Sequence, residues 1–341
     1  MAGRPLISVI VPVYQCDAGL LGTCLDSVGN QGIDSDLIEA CVVFDGEPDH
    51  SLLEVVNIRK STQNIRCNTQ EHSGVSVARN NGISMARGVW LAFVDADDYL
   101  PSNALQTLLG NGESRDIVIG AHEVLYPNGS VEIRHYGAGN NSPLVSAGQI
   151  KEDLLKPGMN LSPVWGKLFR RQFVLEHHLE FRPDIRTGED TEFVFRAALE
   201  TDEICYVDRG VYCYRRTEGS AVRGWKSDYV DRILQSMEAV NEVIQQYDLG
   251  KPYRCAYADY VAFHIMLILV HYLFNPQAPW AERQRKAEFC AVLNVPLFDW
   301  ALRRYNPRDF SRARQIALLC LKHRLYPLCK IIGSIRQRQL D

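Results

Sequence analysis

Short apolar runs alternate with amphipathic stretches over the first hundred residues. Residues 6–13, 38–44 and 89–94 are apolar and rich in β-branched side chains, a pattern typical of buried strands. Residues 20–28 and 74–86 carry apolar side chains at spacings of three and four, which predicts helices. Strands separated by helices in this way predict an α/β fold with a parallel sheet and helices on both faces.

The pattern changes twice further along the chain. Residues 116–124 and 206–214 predict strands, whereas 189–199 predicts a helix with acidic residues in its first turn. After residue 226 the periodicity is almost wholly helical, over segments 228–247, 254–274, 280–293 and 309–323. We therefore predict two domains, an α/β domain over residues 1–225 and a mostly helical region over residues 226–341.

The longest uncharged apolar stretch predicts a buried helix rather than a membrane span. It covers residues 260–274, contains two histidines, and is shorter than the roughly 20 residues that a bilayer requires. The first strand follows a short polar start without a cleavable apolar segment. The ten cysteines form no C-x-x-C pair and several lie in apolar runs, which is typical of reduced, buried thiols. A cytoplasmic location is the resulting expectation.

Charge is distributed unevenly between the two predicted regions. The whole chain has 37 Lys and Arg against 41 Asp and Glu, a net charge of −4, which argues against a nucleic-acid partner. Residues 301–341, however, hold ten Lys or Arg and two acidic residues, a net charge of +8. This basic tail predicts either an anionic membrane surface as partner or simply a solvated helix face. Its apolar segments 318–321 and 325–332 are compatible with membrane contact and equally with folding of the helical region around them.

Acidic residues cluster where a predicted strand ends. Asp95, Asp97 and Asp98 directly follow the strand over 89–94, and ligands of parallel sheets bind beyond the carboxyl ends of strands. Carboxylates so close repel each other unless a cation joins them, and Mg²⁺ or Mn²⁺ with substrate phosphates suits such a site. Taken alone, the same string is also compatible with a solvated turn.

Three further polar positions each allow two interpretations. Asp45 ends another strand, where it could accept a hydrogen bond from uracil N3 or simply stabilise a turn. Arg79 lies on an otherwise apolar helix face and needs an anionic partner, which could be a diphosphate or Asp95. Glu189 and Asp190 open a helix, where acids either oppose the helix dipole or supply a general base.

Together these segments resemble the family-2 glycosyltransferases of the GT-A fold. The resemblance covers about residues 6–220. It rests on five motifs: ISVIVPVY (7–14), LDSV (25–28), FDG (44–46), SGVSVARN (73–80) and FVDADDYL (93–100). Three weaker matches are WGKL (165–168), ED (189–190) and YR (214–215). It implies a Rossmann-like nucleotide-sugar-binding domain. It also implies sugar transfer from a UDP-sugar to a hydroxyl of a glycan or lipid-linked saccharide, with inversion at the anomeric carbon.

The resemblance also implies roles for individual residues. Asp190, with Glu189 beside it, corresponds to the catalytic base, and Asp97 or Asp98 to the ligand of Mn²⁺ or Mg²⁺. Trp165 is implied on the donor-sugar or acceptor side, although a core role is equally compatible with its sequence context. The residues implied to hold the UDP-sugar are Pro12, Val13, Tyr14, Asp45, Arg79, Asp95, Ala96, Asp97, Trp165 and Lys167.

Two positions depart from the family pattern. One acid precedes Gly46, where many members have two, and Thr217 stands where many members have a histidine.

Two other functions compete with the transferase. A non-catalytic nucleotide-sugar- or glycan-binding protein would bind UDP-sugar without forming product. A nucleotidyltransferase would normally carry a glycine-rich basic loop after the first strand, which this chain lacks. An enzyme acting at the inner face of the membrane is the principal expectation.

Overall fold

The computed structural model describes residues 4–137, 145–216 and 224–340, and for residues 338–340 the backbone alone. Two compact units divide the chain. The first comprises Met1–Leu154 and Met159–Thr217, and the second comprises Leu155–Gly158 and Glu218–Asp341. The boundary at residue 225 stays a prediction, and Thr217 lies outside the described residues.

The first unit is built on one mixed sheet of eight strands. Its strands are β1 (Ile7–Val13), β2 (Ile38–Asp45), β3 (Ile65–Gln70), β4 (Trp90–Phe93), β5 (Ile117–Leu125), β6 (Val131–Arg134), β7 (Lys167–Arg170) and β8 (Ile204–Arg215). The order is β3-β2-β1-β4-β7-β5-β6, and β8 pairs with β5 on a separate path. The strands predicted over 6–13, 38–44, 89–94, 116–124 and 206–214 are thereby confirmed.

The parallel sheet predicted from the first hundred residues is confirmed, but the later strands make the complete sheet mixed. Strands β3, β2, β1 and β4 are parallel, but β7 runs antiparallel to both β4 and β5. Strand β6 is antiparallel to β5, whereas β8 is parallel to it. Strand β7 has the sequence KLFR, with only two apolar residues between two basic ones, so the sequence did not reveal the strand that reverses the sheet.

Helices cover the sheet and begin where the sequence supplies caps. They are α1 (Ala18–Gly29), α2 (His50–Arg59), α3 (Val75–Met85), α4 (Ala104–Leu109), α5 (Ala147–Asp153), α6 (Arg171–Glu176) and α7 (Glu189–Leu199). Asp17 caps α1 by accepting hydrogen bonds from the amides of Gly19 and Leu20. Helix α3 lies very close to β1, because a Cβ added at Gly82 would stand 2.3 Å from Cγ2 of Ile10.

A cluster of phenylalanines fixes α7 against the centre of the sheet. The ring of Phe193 on α7 stacks on Phe181 with centroids 4.0 Å apart, and it meets Phe93 of β4 and Phe169 of β7 edge-on. These rings are fully buried, and such pairs contribute about 0.5–1.5 kcal/mol each beyond their area. The start of α7 is thereby held beside the end of β4.

The second unit is helical, as predicted. It contains α8 (Tyr229–Gln246), α9 (Lys251–Ile268), α10 (Glu282–Leu293), α11 (Pro296–Arg304), α12 (Arg312–Lys322) and α13 (Tyr326–Leu340), and α9 continues as a π-helical segment, Leu269–Leu273. Within the described part of the chain, Lys251–Leu273 is the one helix long and apolar enough to cross a bilayer, and 72% of its apolar window is buried in the protein. It is a core helix, in agreement with the sequence.

Candidate active site

Three neighbouring strands bring the predicted polar residues to one edge of the sheet. Strand β1 lies between β2 and β4, with Val13 in register with Phe44 and Ile10 with Phe93. Pro12 and Val13 form the end of β1, with the exposed ring of Tyr14 directly after them. The expectation that these strand ends lie together is confirmed.

Asp45 at the end of β2 is the anchor of the loop that leads into α3. Its Oδ1 accepts hydrogen bonds from Gln70 Nε2 (2.8 Å) and the Ser73 amide (2.7 Å). Its Oδ2 accepts from the Gly74 amide (3.0 Å) and lies 2.9 Å from Nδ1 of His72. Burial raises the pKa of Asp45, but these hydrogen bonds outweigh burial and place the pKa below its usual value. All four acceptor positions of the carboxylate are used.

His72 is a site residue that the sequence analysis missed. Its imidazole stacks on Tyr14, with ring centroids 4.3 Å apart and an angle of 15° between the planes. The same ring contacts Oδ2 of Asp45. The imidazole therefore links Tyr14, directly after β1, to Asp45 at the end of β2. The available signal was its place directly before the family-like segment 73–80.

Arg79 on α3 is the centre of a buried ionic cluster. Its Nη1 donates to Asp190 Oδ1 at 2.6 Å and to Glu189 Oε1 at 3.0 Å, while Nη2 donates to Asp95 Oδ1 at 3.1 Å. The arginine side chain is 4% exposed. Burial lowers the pKa of the guanidinium, but the three carboxylates outweigh burial and raise it above its usual value. Asp95, one of the two predicted partners, contacts Arg79 together with both acids of α7.

Burial affects the pKa of two of the acids around Arg79. Burial raises the pKa of Asp95 and of Asp190, and the Arg79 charge offsets only part of that effect. Oδ2 of Asp190 accepts a hydrogen bond from the Val164 amide at 3.1 Å, which fixes the orientation of the carboxyl group. Helix α7 begins after Gly188 in the left-handed region (φ 80°), so its first two side chains turn toward Arg79.

The three aspartates after β4 differ in their surroundings. Ala96 is buried between Asp95, which is one-third exposed, and Asp97, which is exposed. Asp98 faces inward, accepting hydrogen bonds from Tyr212 Oη (2.6 Å) and the Arg215 amide (2.7 Å). Burial and the nearby Asp95 raise the pKa of Asp98 to about 8. Asp98 thus joins β8 to the end of β4.

This donor set fits a divalent cation that shares its ligands with a substrate. The described residues contain no group of three or more His, Cys, Asp or Glu side chains able to enclose a metal ion. At this edge the Asp97 side chain is exposed and the Asp95 side chain is one-third exposed. Mg²⁺ is commonly held by one or two carboxylates together with phosphate oxygens and water, so two carboxylates suffice.

Trp165 and Lys167 occupy the segment that leads into β7. The Trp165 indole is half-buried and stacks on Tyr212, with centroids 4.4 Å apart, and it packs against the main core. Lys167 is buried, and its Nζ donates to the Pro163 carbonyl. Burial lowers the pKa of Lys167 to about 7, although Asp190 raises it in part. Trp165 therefore meets the core expectation while keeping one part of its surface exposed.

Comparison with known proteins identifies the family. Residues 8–176 match the family model described as glycosyl transferase family 2. The chain belongs to the family-2 glycosyltransferases. Putative glycosyltransferase EpsH of Bacillus subtilis (strain 168) is 27% identical over 99% of this chain and 97% of its own length. Uncharacterized glycosyltransferase EpsJ of the same organism is 28% identical over 97% and 96%.

Solved structures agree on the fold. A fragment of S. aureus TarS, residues 1–349 in complex with UDP, superposes with a TM-score of 0.66 at 17% sequence identity, covering 98% of this chain and 92% of the other. The predicted GT-A, Rossmann-like fold with a helical C-terminal region is confirmed. As a family-2 glycosyltransferase, this enzyme transfers a sugar from a nucleotide-sugar donor.

Proposed function

We propose that this glycosyltransferase moves a sugar from a UDP-sugar to a hydroxyl of a glycan or lipid-linked saccharide, with inversion and with the help of Mn²⁺ or Mg²⁺. One observation carries the proposal. Arg79 joins Asp190 and Glu189 of α7 to Asp95, the first residue of the Asp-x-Asp string, through contacts of 2.6–3.1 Å. The proposed base and the proposed metal-binding string are therefore parts of one connected site.

Asp190 is the proposed general base. Its raised pKa makes it a stronger base than an exposed aspartate, and the Val164 amide orients its carboxyl group. The acceptor oxygen attacks the anomeric carbon from the face opposite the diphosphate while its proton moves to Asp190. The bond between that carbon and the diphosphate oxygen breaks in the same step, which inverts the centre. Glu189 shares Arg79 and is the second candidate for the base.

Asp97 and Oδ2 of Asp95 are the atoms proposed to hold the cation. Bound there, Mn²⁺ or Mg²⁺ would stabilise the negative charge that develops on the departing diphosphate. Asp98, the other metal candidate, already accepts two hydrogen bonds from β8, so its role here is to position the aspartate string. In this proposal Arg79 lies near the diphosphate. Its positive charge offsets the negative charge of the carboxylates that it contacts on Asp95, Glu189 and Asp190.

The uridine is proposed to bind at the end of β1, against Tyr14 and Asp45. His72 occupies one acceptor position of Asp45 and one face of Tyr14 in the described structure. A uracil N3–H that donates to Asp45 therefore has to displace the imidazole. Lys167 and the exposed part of Trp165 would then line the donor-sugar or acceptor side.

The relatives support the donor and acceptor classes. The TarS fragment has been solved with UDP and with UDP-GlcNAc. A poly(ribitol-phosphate) beta-glucosyltransferase of Bacillus spizizenii (strain ATCC 23059 / NRRL B-14472 / W23) is 28% identical over 58% of this chain and 30% of its own length.

We extend the proposal to the location of the enzyme in the cell: it works on the cytoplasmic side, at the inner face of the membrane.

The first experiment measures nucleoside diphosphate release from a panel of UDP-sugars and GDP-sugars without acceptor, in Mn²⁺, in Mg²⁺ and in EDTA. We expect one sugar to be hydrolysed, and EDTA to abolish its hydrolysis. Asp36→Asn, which changes an exposed aspartate in the short helix Ser35–Leu37, serves as the control and should leave UDP release unchanged. Release that persists in EDTA would contradict the metal assignment. Release from GDP-sugars in place of UDP-sugars would contradict the proposed donor.

A further inference from the structure

Large apolar side chains are exposed in an unusual concentration on the last two helices. Six of them stand in the twenty residues from 316 to 335, between 41% and 60% exposed: Ile316, Leu319, Leu325, Leu328, Ile331 and Ile335. Elsewhere in the described chain, exposed large apolar side chains are spread singly or in pairs before residue 176. Scattered exposed apolar residues are ordinary, whereas a contiguous group marks a binding surface.

Helix geometry arranges these six side chains, here called the apolar strip, along one line of each helix. Leu328, Ile331 and Ile335 are spaced by three and four residues on α13, which puts them on one face. Ile316 and Leu319 share a face of α12 in the same way, and Leu325 lies in the short connection between the helices. Because α12 and α13 pack against each other, the strip crosses neighbouring elements.

The structure divides the apolar residues of the basic tail between the core and the surface. Leu318 and Leu321 are buried in the helical unit, which agrees with folding of the helical region around segment 318–321. They alternate with the exposed Leu319, so they form the inner face of α12. The core thus uses one set of leucines, and a separate set remains on the surface with no described side chain to cover it.

The charge around the apolar strip indicates which kind of partner binds it. Residues 310–340 contain seven Lys or Arg and no Asp or Glu. Arg312, Lys322, Arg324 and Arg336 are exposed, and Lys330 contacts Glu282 of α10. A second copy of this chain would bring the same positive charges against these. An anionic lipid surface instead complements them, with the acyl boundary taking the aliphatic side chains and the headgroups taking the cations.

We propose that the α12–α13 hairpin binds anionic phospholipid bilayers by inserting the apolar strip at the headgroup boundary. This inference rests on the proposed membrane location and does not depend on the proposed chemistry. It names the residues that make the contact and the class of lipid they require.

The test is vesicle co-sedimentation of the full chain, with UDP-sugar hydrolysis measured on the same samples. We expect binding to vesicles that contain phosphatidylglycerol, and little binding to pure phosphatidylcholine. Leu328→Glu with Ile331→Glu should abolish binding. Leu53→Glu with Ile58→Glu, which alters exposed aliphatic residues of α2, is the matched control and should bind normally. Arg312→Gln with Lys322→Gln should weaken binding by about fivefold per charge at low salt.

The outcomes distinguish a loss of vesicle binding from a loss of enzyme activity. Loss of binding with hydrolysis intact in the Leu328→Glu, Ile331→Glu variant supports the proposal. The proposal is overturned if the wild type does not bind vesicles that contain phosphatidylglycerol, or if it binds both vesicle types equally. It is also overturned if the α2 control variant loses as much vesicle binding as the Leu328→Glu, Ile331→Glu variant. Light scattering without vesicles provides a further check. If the wild type self-associates and the Leu328→Glu, Ile331→Glu variant does not, the partner of the apolar strip is a second copy of the chain and not a membrane.

Discussion

Replacing Arg79 by methionine tests whether this arginine organises the site before any substrate binds. Methionine keeps much of the side-chain volume but removes the charge, leaving Asp95, Glu189 and Asp190 without their shared partner. The guanidinium is 4% exposed and makes three charged hydrogen bonds of 2.6–3.1 Å. Breaking a buried ion pair from one side costs about 3–5 kcal/mol. For a unit of this size the melting temperature should fall by about 6–20 °C.

The loss of stability should depend on pH, and its sign follows from the carboxylates. Burial already raises the pKa of Asp95 and Asp190 with Arg79 present, and its removal should raise both further. Groups whose pKa is higher in the folded state contribute stability at low pH, which disappears as pH rises through the folded pKa. The difference in unfolding free energy between wild type and Arg79→Met should therefore be larger at pH 8 than at pH 5.

Urea unfolding at both pH values, followed by circular dichroism, measures this difference. Arg59→Met is the matched control, because Arg59 also makes two short hydrogen bonds to one carboxylate, but its partner Asp26 is 60% exposed. An exposed pair contributes about 0–1 kcal/mol, so this variant should be nearly as stable as wild type. If Arg79→Met loses no more than Arg59→Met, or loses equal stability at pH 5 and pH 8, the buried-cluster interpretation is wrong.

Three further predictions address the chemistry. Asp190→Asn should lower the rate of transfer about 10²–10⁴-fold with UDP affinity unchanged, and Glu189→Gln should lower it much less; rates in the reverse order would make Glu189 the base. Asp97→Asn should raise the Mn²⁺ concentration needed for UDP release, whereas Asp98→Asn should not; a larger shift for Asp98→Asn would move the metal to that residue. His72→Ala should tighten UDP binding in calorimetry because it frees an acceptor position of Asp45, and weaker binding would instead make the imidazole part of the uridine site.

Local sequence patterns were sufficient for strands β1, β2 and β4 and for helices α1 and α3, but not for helix α2 or the largely exposed strand β3. Strands β1, β2 and β4 are continuous apolar runs, as expected for strands buried on both faces, and the acidic string follows β4 directly. The polar residues at the ends of these strands and the helical C-terminal region follow from patterns of about ten residues, whereas the order of the strands in the sheet does not. The motif resemblance added roles that no single pattern could assign.

Contacts between distant segments were decided by the tertiary structure alone. Arg79 and Asp190 are 111 positions apart, and their contact depends on the phenylalanine cluster that places α7 beside β4. Strand β7 reverses the sheet, but its two apolar residues between basic ones form no strand pattern in the sequence. Asp97 and Asp98 are chemically identical in the sequence, and only the approach of β8, which brings Tyr212, turns one of them inward.

The same division holds for the C-terminal helices. The sequence determined that residues 310–340 are basic and apolar, because composition and charge are properties of the chain itself. Only packing decided that Leu318 and Leu321 enter the core while Leu319 remains exposed. A leucine has the same transfer free energy at each position, and whether that energy is realised inside the protein depends on which neighbouring helix covers it.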